Sequence, residues 1–438
     1  MKVRTTITAL MVSAAILISA VQLAVPFKLS PTVIRGDGVG YYSWLRSAMI
    51  DGDFDFENEF QYYDDILPES ARPLASRLLE QSRTSTGLVP NHWPVGPALM
   101  WLPFVLTAHG FVAITGADPT GYGLPYQLAV AIGSATYGLA GLWLLFCILR
   151  RYFNAEASLL AVATTWGASS LTGYMYYMPS MSHACSFFSV SLVIYLWVRL
   201  REDSRPIRFF WLAATCGLAV ITRLQDALLG IFLATAWLNV WRASPRRPIA
   251  ASAALGSITL GGLLACLPQL VAWQALNGAP LPGDYAGSGF DWRAPHLFEI
   301  LFAPRYGLLT STPMFALGLA GLIWFWPRDR QLTAILGMIF LGQVWLLSAF
   351  SYYHGGAAFG PRYFVSALPL VTFGLASVYD RLASKLGRWC PMSIVAALVA
   401  WNYLLLALYG LNLIPRGGPM SWELFWEGLD RLMNRLSG

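Results

Sequence analysis

Three groups of residues in this chain could do chemistry, and each sits in an otherwise apolar setting. The first is Asp37, inside Arg35-Gly36-Asp37-Gly38-Val39-Gly40-Tyr41-Tyr42. Flanking glycines let the backbone turn sharply or approach a ligand closely. An isolated carboxylate there suits a general base, and it suits equally well a helix N-cap ahead of Tyr41, Trp44 and Leu45. The second group is cationic: His183, Arg223, Arg305 in Phe302-Ala303-Pro304-Arg305-Tyr306-Gly307, His354, and Arg362 in Gly355-Gly356-Ala357-Ala358-Phe359-Gly360-Pro361-Arg362-Tyr363. Arginine beside apolar surface is costly and finds an anion, and its fork matches phosphate. Snorkelling toward lipid headgroups accounts for any one of them. It accounts less well for three that lie in Gly/Pro/aromatic loops or an apolar hairpin, so an anion site is expected.

The third group is Asn91-His92-Trp93-Pro94-Val95-Gly96-Pro97, whose His92 and Trp93 suit a sugar or an acidic proton. A helix start with proline in its first turn is an equal reading. Tyr285 and Trp292 suit sugar stacking, against the alternative of interfacial belt residues. The acidic run Asp51-Gly52-Asp53-Phe54-Asp55-Phe56-Glu57-Asn58-Glu59 opens like a calcium loop, but Phe56 and Tyr62 stand where that loop needs glycine and glutamate. Its alternation of acid with Phe predicts an extended segment with the carboxylates, Glu59 among them, on a solvated face.

The elements that position these groups are membrane helices. The chain has 438 residues, 56% hydrophobic and 12% charged, with positive mean hydropathy, which excludes a soluble fold. Apolar runs predict about eleven spans, near 5–26, 125–149, 156–176, 183–200, 208–222, 225–241, 249–275, 311–326, 332–350, 364–379 and 392–412. The first reads as an uncleaved helix, since Val25-Pro26-Phe27 is a poor cleavage site. The net charge of +6 sits mostly in the short turns Arg150-Arg151, Arg199 to Arg208, Arg242 to Arg247, Arg328 to Arg330 and Arg381 to Arg388. That is the positive-inside pattern, so these turns and the N-terminus are expected in the cytoplasm, and the basicity implies no nucleic acid. If 94–114 crossed, every later basic turn would change side; Pro94, Pro97, Pro103 and His109 are expected to interrupt it as a juxtamembrane or re-entrant helix. Residues 27–124 and 276–310 are then long outer loops of a single domain, 1–438. The pair 208–222 and 225–241 reads as a hairpin carrying Arg223 just to the outer side. The five cysteines show no metal spacing and read as packing residues.

The Gly-Asp segment after the first helix, DGDFDFENEF, the HWPVGP helix entry, the APRYGLLTSTP loop and the YYHGGAAFGPRYF turn together resemble the GT-C glycosyltransferases of the inner membrane. The resemblance is greatest to the protein O-mannosyltransferase and lipid A aminoarabinose transferase group, and it covers 27–379. It implies an all-α, polytopic membrane enzyme of a bacterial inner membrane whose long first periplasmic loop contains juxtamembrane helices. It implies a polyprenyl-monophosphate sugar donor and a lipid, glycan or protein acceptor. Carried over, Asp37 matches the first-loop aspartate that activates the acceptor, 276–310 matches the second loop, and Arg305 and Arg362 stand where phosphate-contacting cations are expected. Arg223 and His354 join them as phosphate ligands; His92, Trp93, His183, Tyr285 and Tyr41 are the expected substrate contacts. Gly38 replaces the acidic partner often found beside the aspartate, His92-Trp93-Pro94 replaces Lys-Pro-Pro, and His183 stands where relatives often carry an acid. These departures leave a divalent metal, Mg or Mn, an open question. A transporter or flippase of a lipid-linked or anionic glycan is the competing class; a polyprenyl-diphosphate-dependent polymerase or ligase is the competing enzyme. Transporters tend to show internal repeats and midplane polar groups, whereas here the polar groups collect at one face.

Overall fold

The computed structural model describes residues 17–24, 30–67, 74–243, 247–281, 289–304, 307–417 and 420–437. Among them the regular structure is helical, apart from an isolated antiparallel bridge between Phe290 and Phe350. In chain order the helices are α1 (residues 17–24), α2 (Asp37–Arg46), α3 (Glu57–Ile66), α4 (Gly96–Thr115), α5 (Leu124–Leu149), α6 (Ala155–Gly167), α7 (His183–Leu200), α8 (Pro206–Thr222), α9 (Gly230–Ala243) and α10 (Arg247–Asn277). They continue as α11 (Leu297–Phe302), α12 (Leu308–Ser311), α13 (Met314–Phe325), α14 (Arg330–Ala349), α15 (Leu368–Leu386), α16 (Trp389–Gly410) and α17 (Trp422–Ser437). Among the described residues eight helical segments are long and apolar enough to cross a membrane, and α8 and α13 are shorter apolar helices. This is a multi-pass membrane protein.

Two expected spans differ in form. The run 156–176 is not one helix: α6 stops at Gly167. The broken backbone that follows is buried and satisfied by small hydroxyls, Ser169 Oγ donating to the Thr165 carbonyl (2.6 Å) and Leu171 N to Ser169 Oγ (3.2 Å). Irregular backbone at membrane depth requires such internal partners, and the Ser-Ser-Leu-Thr-Gly composition supplies them. The prolines of 94–114, in turn, do not interrupt it. Pro97 lies in the first turn of α4, where no intrahelical N–H is needed, Pro103 is carried inside, and Gly116, at φ 69°, ends the helix in the left-handed region. By length and composition α4 is long and apolar enough to cross a membrane. The 208–222 and 225–241 pair is the expected hairpin, α8 turning at Arg223 directly into the segment Leu224–Arg242.

The chain divides into two compact units. The first comprises 1–138, 173–185 and 269–282; the second comprises 139–172, 186–268 and 283–438. The second is built on α15, which packs backbone to backbone on α13: a Cβ on Gly321 would collide with the Gly374 carbonyl, and one on Gly374 with the Gly318 carbonyl. Small residues permit that approach between apolar helices. On its other side α15 joins α6 through Thr165–Thr372 and Thr164–Tyr379, each 2.9 Å.

The basic turns of this unit meet at one end. Asp329 accepts from Arg201 (2.5 Å) and Tyr152 (2.9 Å), and Asp380 accepts from Arg328 (2.6 Å) and Asn154 (3.0 Å). The basic turns around Arg151, Arg201, Arg328 and Asp380 thus lie together, and α8 leads away from them to Arg223.

Candidate functional site

In the first unit the chemistry gathers around the start of α2. Gly36 is the N-cap, at φ 58° and ψ −136°, so Asp37 is the first helical residue and not the cap. A carboxylate in the first turn is favoured by the exposed amides and the dipole of the helix. Asp37 is half-buried. The two following glycines serve close approach. A Cβ on Gly38 would fall onto the Ser180 side chain, and one on Gly40 would fall inside the Trp93 ring. The head of α2 is thereby pressed against the 178–183 turn and the 91–95 entry.

Hydrogen bonds lock those neighbours. Ser180 Oγ donates to the Val33 carbonyl (2.9 Å), and Arg35 donates to the Tyr177 carbonyl (2.7 Å) with its guanidinium 4.7 Å above the Tyr177 ring. Asn91 donates to the Gly40 carbonyl (3.0 Å) and accepts from Trp93 N (3.1 Å), while Trp44 Nε1 donates to the Trp93 carbonyl (2.7 Å). His92 stacks on Trp93 with ring centroids 3.9 Å apart. Burial pulls the His92 pKa down to about 4, opposed by the negative charge of Asp37; the imidazole is therefore neutral at neutral pH. His183 is buried at the start of α7, its ring 4.1 Å from that of Tyr174. Tyr41 is also buried, its hydroxyl accepting from Ser182 at 3.1 Å. Asp37, His92, Trp93, His183 and Tyr41 thus belong to one unit, and the charge of Asp37 is felt at His92.

In the acidic run, Asp51 and Asp53 are exposed and Asp55 and Glu57 partly exposed, as a solvated face requires, but Glu59 departs from it. The extended part of the run ends at Phe56, and α3 begins at Glu57. Glu59 is fully buried and accepts from Arg46 Nη1 at 2.8 Å; the same nitrogen bonds Asp51 at 2.5 Å, and Arg46 Nε donates to the Thr120 carbonyl. Asp53 instead accepts from Ser47 Oγ (2.7 Å), tightening the turn. Alternation fails at Glu59 because a helix starting at Glu57 turns that side chain inward.

In the second unit, cations converge on Tyr363. Arg223 lies 5.4 Å and Arg362 5.0 Å from its ring centroid, and Arg362 Nη2 donates to its hydroxyl at 3.4 Å. Cation–π contact holds guanidiniums in place without consuming their donor edges. Arg223 Nη2 donates to Gln225, and Gln225 donates to the Tyr363 carbonyl (2.7 Å) and Ser366 Oγ (3.0 Å). Beneath them Asp226 is buried and accepts from Ser186 at 2.6 Å. Gly355, at φ 67°, lets its loop fold over Arg362, where a Cβ would press to 3.2 Å from Nε. His354 accepts from Gly356 N at 3.1 Å and lies 4.5 Å from the Tyr352 ring. The 289–296 segment is tied to the same loop: Ser351 N donates to the Gly289 carbonyl (3.0 Å), and His296 stacks on Tyr353 at 4.1 Å. Trp292 stacks on Phe290 at 5.0 Å.

Arg305 and Tyr285 lie outside the described residues. Among the described residues no group of three or more His, Cys, Asp or Glu side chains could hold a metal ion. Sequence reading missed Asn91 and Gln225, which bond Trp93 and Arg223, Ser180, which packs on the head of α2, and the buried Asp226, which bonds Ser186. The signal was present for Asp226, an acid inside an apolar hairpin, where an ionisable group needs a partner.

Comparison with known proteins agrees with this architecture. Residues 124–273 match the family model of dolichyl-phosphate-mannose-protein mannosyltransferases. The fold is similar to the crystal structure of ArnT from Cupriavidus metallidurans in the apo state, with a TM-score of 0.53 and 16% identity. That likeness covers 90% of this chain and 64% of the ArnT chain, so this protein spans less than two thirds of the length of that structure. No curated protein matches. The GT-C resemblance drawn from the sequence is borne out, and the ArnT likeness is one of fold. Asp37 and Arg362 lie outside the matched 124–273 segment, so their roles rest on their own surroundings.

Proposed function

We propose that this protein is a membrane glycosyltransferase that moves a sugar from a polyprenyl-monophosphate donor to an acceptor on the periplasmic face of the inner membrane. The observation that carries the reading is Asp37 itself. It is a half-buried carboxylate at the head of a helix, set there by two glycines that admit no side chain and bordered by the neutral His92 and the stacked Trp93.

In the proposed reaction an acceptor hydroxyl or amine attacks the anomeric carbon. Asp37 takes its proton, the bond from that carbon to the phosphate oxygen breaks, and the electron pair leaves with the polyprenyl phosphate. Arg223 and Arg362, held over Tyr363, neutralise the leaving phosphate, with His354 and Arg305 as further donors to it. His92, neutral at the working pH, accepts or donates a hydrogen bond to the acceptor without competing for its proton. Trp93 offers a sugar-stacking face.

The test is transfer of labelled sugar by purified protein from a panel of synthetic polyprenyl-monophosphate sugars, with and without chelator. Transfer supports the reading, and the chelator arm decides metal use. Binding of a donor without transfer to any acceptor favours a flippase, and binding of no donor favours a transporter. Within this test Arg223→Gln and Arg362→Gln each raise the donor concentration for half-maximal rate at least tenfold, since a charge-assisted contact contributes about 1.5–3 kcal/mol. Unchanged donor dependence in both variants removes the phosphate role.

A further inference from the structure

Gln225 lies between the two guanidiniums assigned to the donor phosphate, and it makes contacts that closing a hairpin does not require. Arg223 leaves α8 with extended backbone, at φ −152° and ψ 116°, and the 3-10 turn Leu224–Leu229 follows. Tyr363 stands 138 residues beyond Gln225, in the turn Arg362–Ala367 ahead of α15. Gln225 joins the two. Its Oε1 accepts from Arg223 Nη2 at 3.1 Å, while its Nε2 donates to the Tyr363 carbonyl at 2.7 Å and to Ser366 Oγ at 3.0 Å. One orientation of the amide satisfies these partners: a guanidinium has no acceptor and a carbonyl no donor, so the oxygen faces Arg223 and the nitrogen faces Tyr363. Both amide hydrogens and the amide oxygen are thereby engaged.

Buried groups fix that orientation in turn. Ser366, Gln343, Ser186 and Asp226 are all buried. Ser366 Oγ accepts a second amide, Gln343 Nε2 at 3.3 Å, so with two donors on its oxygen its own proton is directed elsewhere. Asp226, an acceptor-only carboxylate that Ser186 Oγ bonds at 2.6 Å, is the partner of that proton. Donation thus runs one way, from Arg223 through Gln225 and Ser366 to Asp226. Hydrogen bonds joined in series in a low-dielectric interior strengthen one another and rigidify the groups they connect. The consequence falls on Arg223. A long side chain that changes rotamer freely has to be ordered when its ligand arrives, which lowers affinity. Gln225 orders this one beforehand, over the ring that Arg362 shares, the two guanidiniums lying 5.4 and 5.0 Å from the Tyr363 centroid.

We propose that Gln225 is a positioning residue: footed on Ser366 and Asp226, it holds Arg223 in register with Tyr363 and Arg362 before the ligand arrives, so that both guanidiniums meet one lipid-linked phosphate together. The inference rests on the proposed role of Arg223 and Arg362 as ligands of the donor phosphate. The test measures binding of a short-chain polyprenyl monophosphate to the full chain in detergent, so no sugar transfer is needed. Gln225→Met keeps the length of the side chain and removes the bridge; it weakens binding about fivefold, the effect of ordering one long side chain beforehand. In an Arg223→Gln background the same change costs nothing further, because the residue it positions is gone. Ser366→Ala, a smaller change at the foot of the bridge, weakens binding in the same direction and is equally silent in Arg223→Gln. A role confined to closing the hairpin instead gives losses that multiply with that of Arg223→Gln, and such losses overturn the proposal. Wild-type affinity in both Gln225→Met and Ser366→Ala overturns it as well. Absence of binding by the wild type overturns the phosphate-ligand reading itself, and this inference with it.

Discussion

Asp37→Asn abolishes sugar transfer, with a loss of about 10²–10⁴ in turnover, the range a positioned general base supplies, while the protein keeps its abundance and thermal stability. The substitution preserves shape and hydrogen bonding in the first turn of α2. It removes only the ability to take a proton, and the helix-dipole contribution that goes with the charge is about 1 kcal/mol or less. Gly36, Gly38 and Gly40 continue to hold the turn in place, so loss of activity in a folded protein isolates the proton-transfer role. Glu59→Gln, which alters a nearby acid that does not reach the site, loses far less. Equal activity in both variants removes Asp37 from the mechanism. The pH profile adds an independent check: the His92 pKa near 4 means that imidazole changes charge only in acid. No inflection near 6.5 is expected, and His92→Gln leaves the neutral-pH profile flat.

Much of this was legible in the sequence, for reasons that differ from residue to residue. Apolar runs and basic turns define membrane helices because lipid demands about 20 apolar residues and orientation follows Lys and Arg; the clustering of Tyr152, Arg201, Arg328 and Asp380 at one end of the second unit follows from the same rule. Asp37 stood out through its glycines, although their reason, the Ser180 and Trp93 side chains occupying the space of a Cβ, depends on contacts across more than fifty and more than a hundred residues that periodicity cannot see. The break after Gly167 was hidden because Ser and Thr are tolerated in membrane helices as well as in the turns that interrupt them. The amphipathic α17 was missed because a search for uniformly apolar runs passes over a helix with two apolar faces and one charged one. Besides the local bond from Arg223 to Gln225, Gln225 and Asp226 act through Tyr363, Ser366 and Ser186, partners that no spacing rule connects.

Arg46→Ala destabilises the first unit by about 3–5 kcal/mol, because it leaves a buried carboxylate without its partner. The loss is larger than a surface ion pair would give, since Arg46 also bonds the Thr120 carbonyl and stacks 4.1 Å over Tyr122. Burial lifts the Glu59 pKa to about 7, and Arg46 opposes that lift. A carboxyl whose folded pKa lies above its unfolded value of about 4.5 binds more protons in the folded state between those two values. Stability therefore falls as pH rises from about 4.5 to about 7 and is flat above. Glu59→Gln removes this slope, so in thermal unfolding of the full protein the variant and wild type diverge least at pH 8 in slope and most between pH 5 and 7. Without Arg46 the Glu59 pKa climbs further, the side chain stays protonated at pH 5 where its burial costs little, and the destabilisation grows toward pH 8. An Arg46→Ala penalty independent of pH would assign the residue's contribution to packing on Tyr122 alone. A penalty that vanishes when Glu59→Gln is added identifies the pair as the unit that holds α2 and α3 together, and so holds the helix whose first turn presents Asp37.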